Sequence, residues 1–323
     1  MIKKLTDLAL TVVSNDFEEL CENFEGWDQQ YDLADSGGFR GRMTVTDLTG
    51  VQLSRLEWGN SIRYHGTPPK GTVATALPLF ETGGGRWMGR TLGADDLLVQ
   101  APGTESVFVS AKQWDGVVLS LPVEHYEALS KIYAGDRIDR YRNPQGAVRL
   151  LKEDADDIRR QAIAYFGLLA TGPADGASDT HIKQLELMAK QISLSHVLAV
   201  ERSIANKKVC TRLNRPEKVV RQAEEYLLGH PAQNVGVTEL CTALGVGERP
   251  LHASFMAARG VSPIAWLRRL RLNAVHRQLR AADPQWGAVK RAALDNGFTH
   301  FGHFSKQYFK LFGETPATTL GAA

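Results

Sequence analysis

The C-terminal third of the chain contains one pattern twice, and this pattern limits the fold more than any other feature. In the first copy, two amphipathic stretches, 237–244 (VTELCTAL) and 248–259 (ERPLHASFMAAR), flank the glycine turn GVG. In the second copy, 286–298 (WGAVKRAALDNGF) supplies a helix and a turn, and 299–316 (THFGHFSKQYFKLFGETP) supplies another helix. Glycine allows the backbone angles that such tight turns require. The pattern therefore predicts two helix-turn-helix units.

A long amphipathic stretch, 263–283 (PIAWLRRLRLNAVHRQLRAAD), joins the two units and has no Gly or Pro after its first residue. It predicts one rigid connecting helix. Another helix is expected over 215–230, with Pro216 near its start, and Thr238 is expected to cap the helix that follows. The connecting helix carries five arginines, which we expect to contact solvent or phosphate rather than base edges: Arg268, Arg269, Arg271, Arg277 and Arg280.

The second helix of each unit has an apolar side and a polar side. At about 100° per residue, the last helix collects on one side the aromatic residues Phe301, Phe304, Tyr308 and Phe312, and on the other His303, Lys306 and Lys310. In the first unit the apolar side holds Leu251, Phe255 and Ala258, and the polar side holds Arg249, His252 and Met256. Such helices suit entry into a DNA major groove.

The outward residues have different expected roles. Arg249 can donate two hydrogen bonds to one guanine edge, because its guanidinium group is a planar fork. Lys306 can donate to guanine or to phosphate, and the expected secondary contacts are His252, His303 and Ser305. Phe301 and Phe309 are expected to be structural, although Phe301 lies near the helix start and could touch a thymine methyl group. For each residue the alternative is an ordinary solvated surface position.

The two ends of the chain differ in charge. Residues 214–323 hold 14 Lys and Arg against 8 Asp and Glu, a net charge of +6, whereas the remainder of the chain carries −4. A basic segment next to an acidic one indicates a polyanionic partner for the basic part. The alternative is a charged surface that only confers solubility.

Residues from about 40 to 122 are rich in Val, Leu and Thr and are divided by Gly, Pro and Asn turns. Eight short segments predict strands: MTVTDL, VQLSRLEW, SIRYHG, TVATALPL, GRWMGRTLG, DLLVQAPG, SVFVSAK and DGVVLSLP. Strands of this number and length are typical of a closed antiparallel barrel or jelly roll. With the helical C-terminal part, the chain is expected to be an α+β protein.

Three helices are expected between the strands and the first unit, over 123–133, 153–172 and 178–205. Ser178 is expected to cap the third helix. An apolar stripe along this helix suits either pairing of two subunits or an internal helix contact; its residues are Ile182, Leu185, Ala189 and Ile192. A second stripe, formed by Leu187, Leu194 and Leu198, would allow both. Dimerisation through this region is the favoured interpretation.

Other features exclude several classes of protein. No apolar run approaches the ~20 residues of a membrane helix, and the first residues include Asp7 and Asp16 without a clear cleavage site, so no signal peptide is expected. Cys21, Cys210 and Cys241 have no metal or disulfide spacing, which favours a cytoplasmic location. The sequence shows no P-loop, no dinucleotide fingerprint and no Ser-His-Asp arrangement.

The C-terminal third contains the stretch LGVGERPLHASFMAARGVSPIAWLRRLRLNAVHRQL, followed by GFTHFGHFSKQYFKLFGETP. Together these stretches resemble the DNA-binding domain of the AraC/XylS family of bacterial transcription regulators. The resemblance covers the C-terminal third of the chain. It implies that two recognition helices enter successive major grooves. Its expected DNA contacts are Arg249, His252 and Ala253 in the first helix, and Phe301, Gly302, His303, Ser305, Lys306 and Lys310 in the second. Ala253 and Gly302 lack polar side chains, so fewer bases are expected to be read there.

The stretch 93–105 (GADDLLVQAPGTE) resembles the second half-motif of cupin barrels. This resemblance implies an effector pocket inside the barrel and dimerisation through adjoining helices. Ligand pockets are mainly apolar and aromatic with a few polar groups. The candidate pocket residues on or beside predicted strands are Trp58, His65, Arg86 and Trp87. The alternative is that they are core or surface residues.

Some cupin barrels are metal enzymes. Their metal site needs several histidines and a carboxylate, but the barrel segment offers only His65, and Glu105 and Ser106 stand where a further histidine is expected. We therefore expect no metal, no cofactor and no enzymatic activity. An enzyme fused to a DNA-binding domain is the least favoured alternative. Another is a metal-free ligand- or protein-binding protein whose helix-turn-helix units contact protein.

Together these patterns predict a cupin-like effector-sensing domain over 1–135, a helical dimerisation and connecting region over 136–204, a linker over 205–215 and a double helix-turn-helix DNA-binding domain over 216–323. The expected function is sequence-specific transcription regulation in response to an unidentified small molecule. The expected partners are double-stranded promoter or operator DNA, that effector and a second copy of the chain. RNA polymerase is a possible further partner, and no membrane partner is expected.

Overall fold

The computed structural model describes residues 9–80, 85–88, 90–134, 146–171, 178–205, 209–210, 215–229 and 235–321. Within the described residues, an N-terminal domain of two antiparallel sheets and four helices precedes a helical C-terminal domain. The expected α+β architecture is therefore confirmed.

The strands of the N-terminal domain have the following bounds: β1 Ala9–Ser14, β2 Asp28–Leu33, β3 Gly41–Leu48, β4 Val51–Trp58, β5 Ile62–Thr67, β6 Thr72–Pro78, β7 Arg86–Trp87, β8 Arg90–Thr91, β9 Asp96–Gln100, β10 Ser106–Val109, β11 Trp114–Pro122, β12 Gly146–Arg149 and β13 Val209–Cys210. The helices are α1 Phe17–Glu22, α2 Val123–Ala134, α3 Lys152–Ala170, α4 Asp179–Ala205, α5 Arg215–Gly229, α6 Val237–Leu244, α7 Glu248–Arg259, α8 Pro263–Arg280, α9 Ala288–Asp295, α10 Phe301–Phe312 and α11 Pro316–Gly321.

The larger sheet has the order β1-β3-β4-β11-β6-β9-β12-β13, and the smaller sheet has the order β2-β5-β10-β7-β8. All eight segments expected as strands contribute to these sheets. Strands β1, β2, β12 and β13 were not expected from the sequence. β2 has the polar sequence DQQYDL and exists through its full-length pairing with β5, a contact that no local pattern reveals.

Alternation along the strands places the larger sheet between two apolar layers. In β11, Val117 and Leu119 pack in the core that contains α3 and α4, whereas Trp114 and Val118 face the smaller sheet. The space between the two sheets is therefore lined by one side of each strand, and a cavity there is lined by every second residue.

α3 and α4 pack against the outer face of the larger sheet as an antiparallel pair. The Tyr165 hydroxyl forms a hydrogen bond of 2.7 Å with the Thr46 hydroxyl and ties α3 to the sheet. The stripe expected to pair subunits is covered within the chain, because Leu185, Ala189 and Ile192 are fully buried in this core. The internal alternative accounts for this stripe, and Leu187 of the second stripe remains 66% exposed.

The ends of these helices agree in part with the sequence. The Ser178 hydroxyl accepts a hydrogen bond of 3.2 Å from the His181 N–H, which confirms the expected cap of α4. Residues 206–208 and 211–214 of the expected linker lie outside the described residues, but Val209–Cys210 pairs with β12 at the edge of the larger sheet. The chain thus touches the sheet again before it enters the C-terminal domain.

Helices α6, α7 and α10 of the C-terminal domain end at glycines, as the turn pattern predicts. Gly245, Gly260 and Gly313 follow α6, α7 and α10 with φ angles of 63°, 70° and 77°, the left-handed region where side chains are disfavoured. The expected cap at Thr238 is wrong: α6 begins one residue earlier, and the Gly236 N–H donates to the Glu239 carboxylate at 2.6 Å. A reciprocal carboxylate at the third helical position supplies this cap.

The second helix-turn-helix unit packs directly on the N-terminal domain. The rings of Phe17 in α1 and Phe312 in α10 stack with centroids 6.2 Å apart, and both belong to one apolar core that continues between the two sheets. The Gly38 N–H donates to the Leu311 carbonyl at 3.4 Å. The first unit has an apolar core of its own, built around Leu251, Phe255 and Trp266.

This contact predicts a measurable difference between two glycines. Gly313→Ala would place a Cβ 3.1 Å from the Gly38 Cα, and the alanine would have to adopt a positive φ that side chains disfavour. In Gly245→Ala the alanine would also have to adopt a positive φ, but its Cβ would meet no atom within 4 Å. We expect Gly245→Ala to lower the free energy of unfolding by about 1–2 kcal/mol, and Gly313→Ala by roughly 1–3 kcal/mol more, in urea denaturation. Equal losses would contradict close packing between the domains.

Candidate nucleic-acid interface

The first recognition helix, α7, separates its apolar and polar sides as the sequence predicts. Leu251, Phe255 and Ala258 are fully buried in the first unit, where the Phe255 and Trp266 ring centroids lie 4.9 Å apart. The side chains on the other side are exposed: Arg249, His252, Ala253 and Met256. The Gly245–Gly247 turn positions the start of this helix, because Gly247 precedes its first residue in extended conformation.

The second recognition helix, α10, buries Phe304, Tyr308 and Phe312. The Tyr308 hydroxyl forms a hydrogen bond of 2.8 Å with the Thr319 hydroxyl of α11, which fixes the aromatic side of the helix. The outward side chains and the one glycine among them are exposed: Phe301, Gly302, His303, Ser305, Lys306 and Lys310.

Two aromatic residues of α10 differ from expectation. Phe301 was placed on the buried side, but it is 37% exposed, with the Lys290 Nζ 5.8 Å from its ring centroid. As the first residue of the helix, it extends beyond the neighbours that cover Phe304. Phe309 was expected to be structural, but it is 55% exposed, because it falls about 80° from Phe301 around the helix, outside the buried arc.

Four of the five connecting-helix arginines do not have the role expected from the sequence. The Arg277 Nη1 lies 2.7 Å from the Asp32 carboxylate, and the Arg280 Nε lies 2.9 Å from the Asp16 carboxylate. Arg269 donates to the carbonyl of Ala34, so three of them bind the N-terminal domain. Arg271 donates at 2.7 Å to the carbonyl of Val235. The sequence of a basic helix does not show which of its sides docks on another domain.

Arg268 is the exception. It is exposed and lines a groove of about 310 Å³ with His300, His303 and Gln307 of the second unit and Ile264 of α8. This groove lies between the two units, so one cation of the connecting helix is placed beside their exposed residues.

Buried charges connect the first recognition helix to the N-terminal domain. The Glu224 carboxylate of α5 lies 2.8 Å from the Arg63 guanidinium of β5 and 3.1 Å from that of Arg259, the last residue of α7. Arg259 also binds Glu217 at 2.6 Å, and Arg63 also binds Asp32 at 3.1 Å. With Arg277, which binds Asp32 from α8, these residues form what we term the interdomain charge network.

Glu224 and Arg259 of this network remain charged although both are buried. Burial alone would raise the pKa of Glu224, but the positive charges of Arg63 and Arg259 and their hydrogen bonds hold it below its ordinary value. Burial alone would lower the pKa of Arg259, but Glu224 and Glu217 raise it above its ordinary value. The ionic contacts therefore persist at neutral pH.

A cavity of about 70 Å³ lies between the two sheets of the N-terminal domain. Trp58 and Trp87, two of the candidate effector contacts, line it. The other aromatic residues that line it are Phe24, Trp27, Tyr31, Tyr64, Phe108 and Trp114. The Trp58 indole N–H donates to the Ser110 hydroxyl at 3.0 Å, which fixes that ring.

The other two candidate effector contacts point away from this cavity. His65 pairs with Glu105 at 2.8 Å and lines a cleft of about 320 Å³ between the domains. The Arg86 guanidinium reaches the C-terminal domain, where it lies 2.9 Å from the position of a Cβ on Gly260. Adjacent strand residues face opposite sides, so Tyr64 and Trp87 line the cavity while their neighbours His65 and Arg86 cannot.

The sequence did not identify the polar groups of the cavity. Gln29 and Thr75 line it, and the Gln29 Nε2 is buried without a hydrogen-bond partner. Such buried groups usually have a partner in protein or water. Gln29 lies in β2, a strand that had no sequence signal. Thr75 pairs with Leu119 and Val99, which pack in the core that contains α3 and α4, so its hydroxyl faces that core and not the cavity.

The fold and the exposed helices define a helix-turn-helix protein, and comparisons with known proteins agree. A family model described as "Helix-turn-helix domain" matches residues 240–322. The chain is 32% identical over 102 residues to the probable thc operon regulatory protein of Rhodococcus erythropolis, an alignment that covers 32% of this chain and 31% of that protein. It is 24% identical over 307 residues to XylDLEGF operon transcriptional activator 3 of Pseudomonas putida, covering 89% of this chain and 84% of that protein.

Among solved structures, a probable AraC family transcriptional regulator from Rhodopseudomonas palustris is 35% identical to this chain, over 33% of this chain and 97% of the other, with a TM-score of 0.30. The C-terminal part of the chain is similar to AraC/XylS-type regulators, as its sequence predicted. The alignment spans about a third of the length of the R. erythropolis relative. No helix in the described part of the chain is long and apolar enough to cross a membrane.

The interdomain charge network predicts a pH-dependent loss of stability. Glu224→Gln would remove the buried carboxylate that Arg63 and Arg259 share and leave each arginine with one carboxylate, Asp32 and Glu217 respectively, so we expect the free energy of unfolding at pH 7 to fall by roughly 3–5 kcal/mol. The depressed pKa of Glu224 stabilises the fold above the unfolded pKa, near 4.5, and this contribution is lost as the pH falls through the folded pKa. The difference between wild type and Glu224→Gln should therefore narrow below about pH 4.5.

The measurement is urea denaturation across pH, with Glu225→Gln as the control. Glu225 is the adjacent carboxylate, which is exposed and pairs only with Arg221 among the ion pairs formed in the described part of the chain. We expect Glu225→Gln to change the free energy of unfolding by less than about 1 kcal/mol. Similar losses in both variants would show that burial of the Glu224 charge is not the stabilising factor.

Proposed function

We propose that this protein is a sequence-specific DNA-binding transcription regulator whose recognition helices α7 and α10 enter successive major grooves. The observation that carries the proposal is that both helices bury their apolar side and expose their cationic side. The spacing of the two helices is fixed by α8 and by the docking of the second unit on the N-terminal domain. The similarity of the chain to operon regulators supports the same function.

The proposed roles follow the chemistry of the exposed side chains. Arg249 reads a guanine through two parallel hydrogen bonds, and Lys306 donates to guanine or to phosphate. His252, His303, Ser305 and Lys310 make secondary contacts. Phe301, which is exposed, can reach a thymine methyl group, whereas Ala253 and Gly302 allow close approach without polar readout.

Electrostatic attraction supplies the sequence-independent part of the binding. The net charge of +6 over 214–323 provides it, and Arg268 is placed to contact a phosphate between the two units. Release of counterions from DNA makes such binding weaken steeply with salt. A protein whose helix-turn-helix units contact only protein would show no such salt dependence for DNA.

We propose that the cavity between the sheets binds a small-molecule effector. Its aromatic lining, with Trp58 and Trp87, suits an apolar body, while the Gln29 side chain can donate a hydrogen bond. A volume of about 70 Å³ is about half that of the ~150 Å³ cavity that accepts benzene. The ligand is therefore smaller than benzene, or the cavity widens when it binds.

An effector can regulate DNA binding only if it binds two states of the protein with different affinity. β2 supplies both Gln29 of the cavity and Asp32 of the interdomain charge network, three residues apart. A shift of β2 on ligand binding would therefore act on Arg63, Glu224 and Arg259, and through them on α7.

We further propose that the protein acts as a homodimer in the cytoplasm and is not an enzyme. The exposed side of α4 that includes Leu187 is the surface proposed for pairing of subunits. The relatives named above are regulators, which agrees with a non-enzymatic role. Promoter or operator DNA is the main partner, and RNA polymerase is a further proposed partner.

The first test is footprinting of the full-length protein on DNA from upstream of its own gene and neighbouring genes, with nonspecific competitor. We expect two protected major-groove segments about one helical turn, or 10–10.5 base pairs, apart on one face. Salt-sensitive binding without a preferred site would reduce the proposal to nonspecific DNA binding. Absence of binding at low salt, by folded protein, would favour the protein-contact alternative.

Replacement of Arg249 tests the proposed readout. Arg249→Ala should cost about 1–3 kcal/mol on the native site and relax the preference at one base pair, because a bidentate contact to guanine is lost. Arg160→Ala, which removes an exposed arginine of α3, is the matched control and should leave DNA affinity unchanged. The measurement is competition binding with site variants. An equal loss on all sequences would identify Arg249 as a phosphate contact.

Replacement of Gln29 tests the effector cavity. A ligand found by thermal-shift screening should bind Gln29→Leu about tenfold more weakly or worse, because one hydrogen bond of about 1–3 kcal/mol is lost. Gln191→Leu, an exposed position of α4, is the control and should bind the ligand as wild type does. Isothermal titration measures both. Unchanged affinity in Gln29→Leu would place the ligand outside this cavity, for example in the interdomain cleft.

A further inference from the structure

Three potential metal ligands meet where α8 crosses the start of α1. Asp16 and Glu18 belong to the N-terminal domain, and His276 belongs to the connecting helix of the DNA-binding domain. Each offers one ligand atom, and these atoms all lie within 4.8 Å of one another. Glu18 is 8% exposed and His276 is 4% exposed. We call these three residues the junction cluster.

Two of the ligand atoms in this cluster have no hydrogen-bond partner. They are the Glu18 Oε1 and the His276 Nδ1, which face each other at 3.5 Å. That separation exceeds the 2.7–3.2 Å of an ordinary N–H···O bond. Two ligands of a tetrahedral zinc ion, each at about 2.0–2.1 Å from it, stand about 3.4 Å apart. The gap between the two atoms therefore fits a shared ion better than a direct hydrogen bond.

The surrounding charges favour a cation. The Arg280 Nε lies 2.9 Å from the Asp16 Oδ2, and its Nη1 lies 3.3 Å from the Glu18 Oε2 and 3.3 Å from the Glu22 Oε1. Glu314 is a fourth carboxylate, 3.8 Å from the His276 Nε2. One guanidinium thus faces three of the four carboxylates in this region. It engages one oxygen each of Asp16 and Glu18 and leaves the Glu18 Oε1 directed toward His276.

The same neighbours would orient the ligands. Metal-binding histidines usually present their second ring nitrogen to a carboxylate, and ligating carboxylates are usually held by further hydrogen bonds. Glu314 faces the second nitrogen of His276, and Arg280 holds the two carboxylates. The His276 ring is also fixed by stacking on Phe312 at a centroid distance of 4.6 Å and by Phe17 at 5.2 Å.

We propose that Asp16, Glu18 and His276 bind a divalent transition-metal ion such as Zn²⁺ at the junction of the two domains. One imidazole nitrogen and two carboxylate oxygens are suitable ligands for zinc, with solvent completing the coordination. This site is separate from the barrel interior, where no metal was expected from the sequence. The proposal does not depend on DNA binding or on the effector cavity.

Because the ligands come from both domains, the ion would join α1 to α8. A ligand that binds only the docked arrangement stabilises that arrangement in proportion to its concentration. The metal would therefore act on the relative position of the recognition helices and the N-terminal domain.

The test is Zn²⁺ binding by the full-length protein, measured by competition with a chromophoric chelator and by thermal unfolding. We expect one equivalent of Zn²⁺ to bind wild type and raise its Tm. Glu18→Gln and His276→Gln should each weaken binding by at least tenfold. His125→Gln removes an exposed histidine of α2 and should bind as wild type does. Absence of Zn²⁺ binding by wild type, or unchanged affinity in both junction variants, would overturn the proposal.

A second measurement covers the case in which His276→Gln fails to fold, since its ring is packed between aromatic residues. Co²⁺ bound to wild type should give the visible absorption of a low-symmetry nitrogen and oxygen site, and Glu18→Gln and Asp16→Asn should lose it while keeping the wild-type circular dichroism. If His276 and Glu18 form only an ion pair, neither Zn²⁺ nor Co²⁺ will bind stoichiometrically, and the proposal is wrong.

Discussion

Glu224 lies between two guanidinium groups that come from different domains, and the relation between those domains depends on it. A carboxylate removed from water must be compensated, so Arg63 of the barrel and Arg259 of the first recognition helix must both stay within reach. Glu217 lies two helical turns before Glu224 on the same side of α5 and binds Arg259 as well. One helix face therefore sets where α7 ends relative to β5. These buried charges constrain the position of α7 relative to β5 more than they contribute to the free energy of unfolding.

Features encoded within a few residues could be predicted from the sequence. The bounds of α6 and α7 agree with the stretches 237–244 and 248–259, because glycines end these helices and apolar spacing defines their inner face. The outward position of Arg249 and Lys306 follows from the same spacing. Thr238 shows the limit: a hydroxyl near a helix start is one way to cap it, and here Glu239 provides another.

Features that depend on distant contacts could not be predicted. β2 is a strand because β5 pairs with it, and Arg277 binds Asp32 because α8 docks on β2. The stripe along α4 suited a partner subunit and an internal helix equally well, and only the position of α3 decides between them. The effector candidates Arg86 and Trp87 are neighbours on one strand, so both could not line the same cavity. The polar side chain of Gln29 could be assigned to the cavity only once the packing of the two sheets was known.

The two recognition helices differ in what supports them. α7 belongs to a small core of its own and meets the N-terminal domain through charges, whereas the inner side of α10 is continuous with the core between the sheets. Substitutions in the apolar core of the first unit can thus accumulate without disturbing the barrel as long as Arg259 is kept, while those on the inner side of α10 affect both domains. In a lineage of such proteins, the DNA half-site read by α7 should diverge faster than the one read by α10. A chimera that exchanges the first unit should likewise be tolerated better than one that exchanges the second.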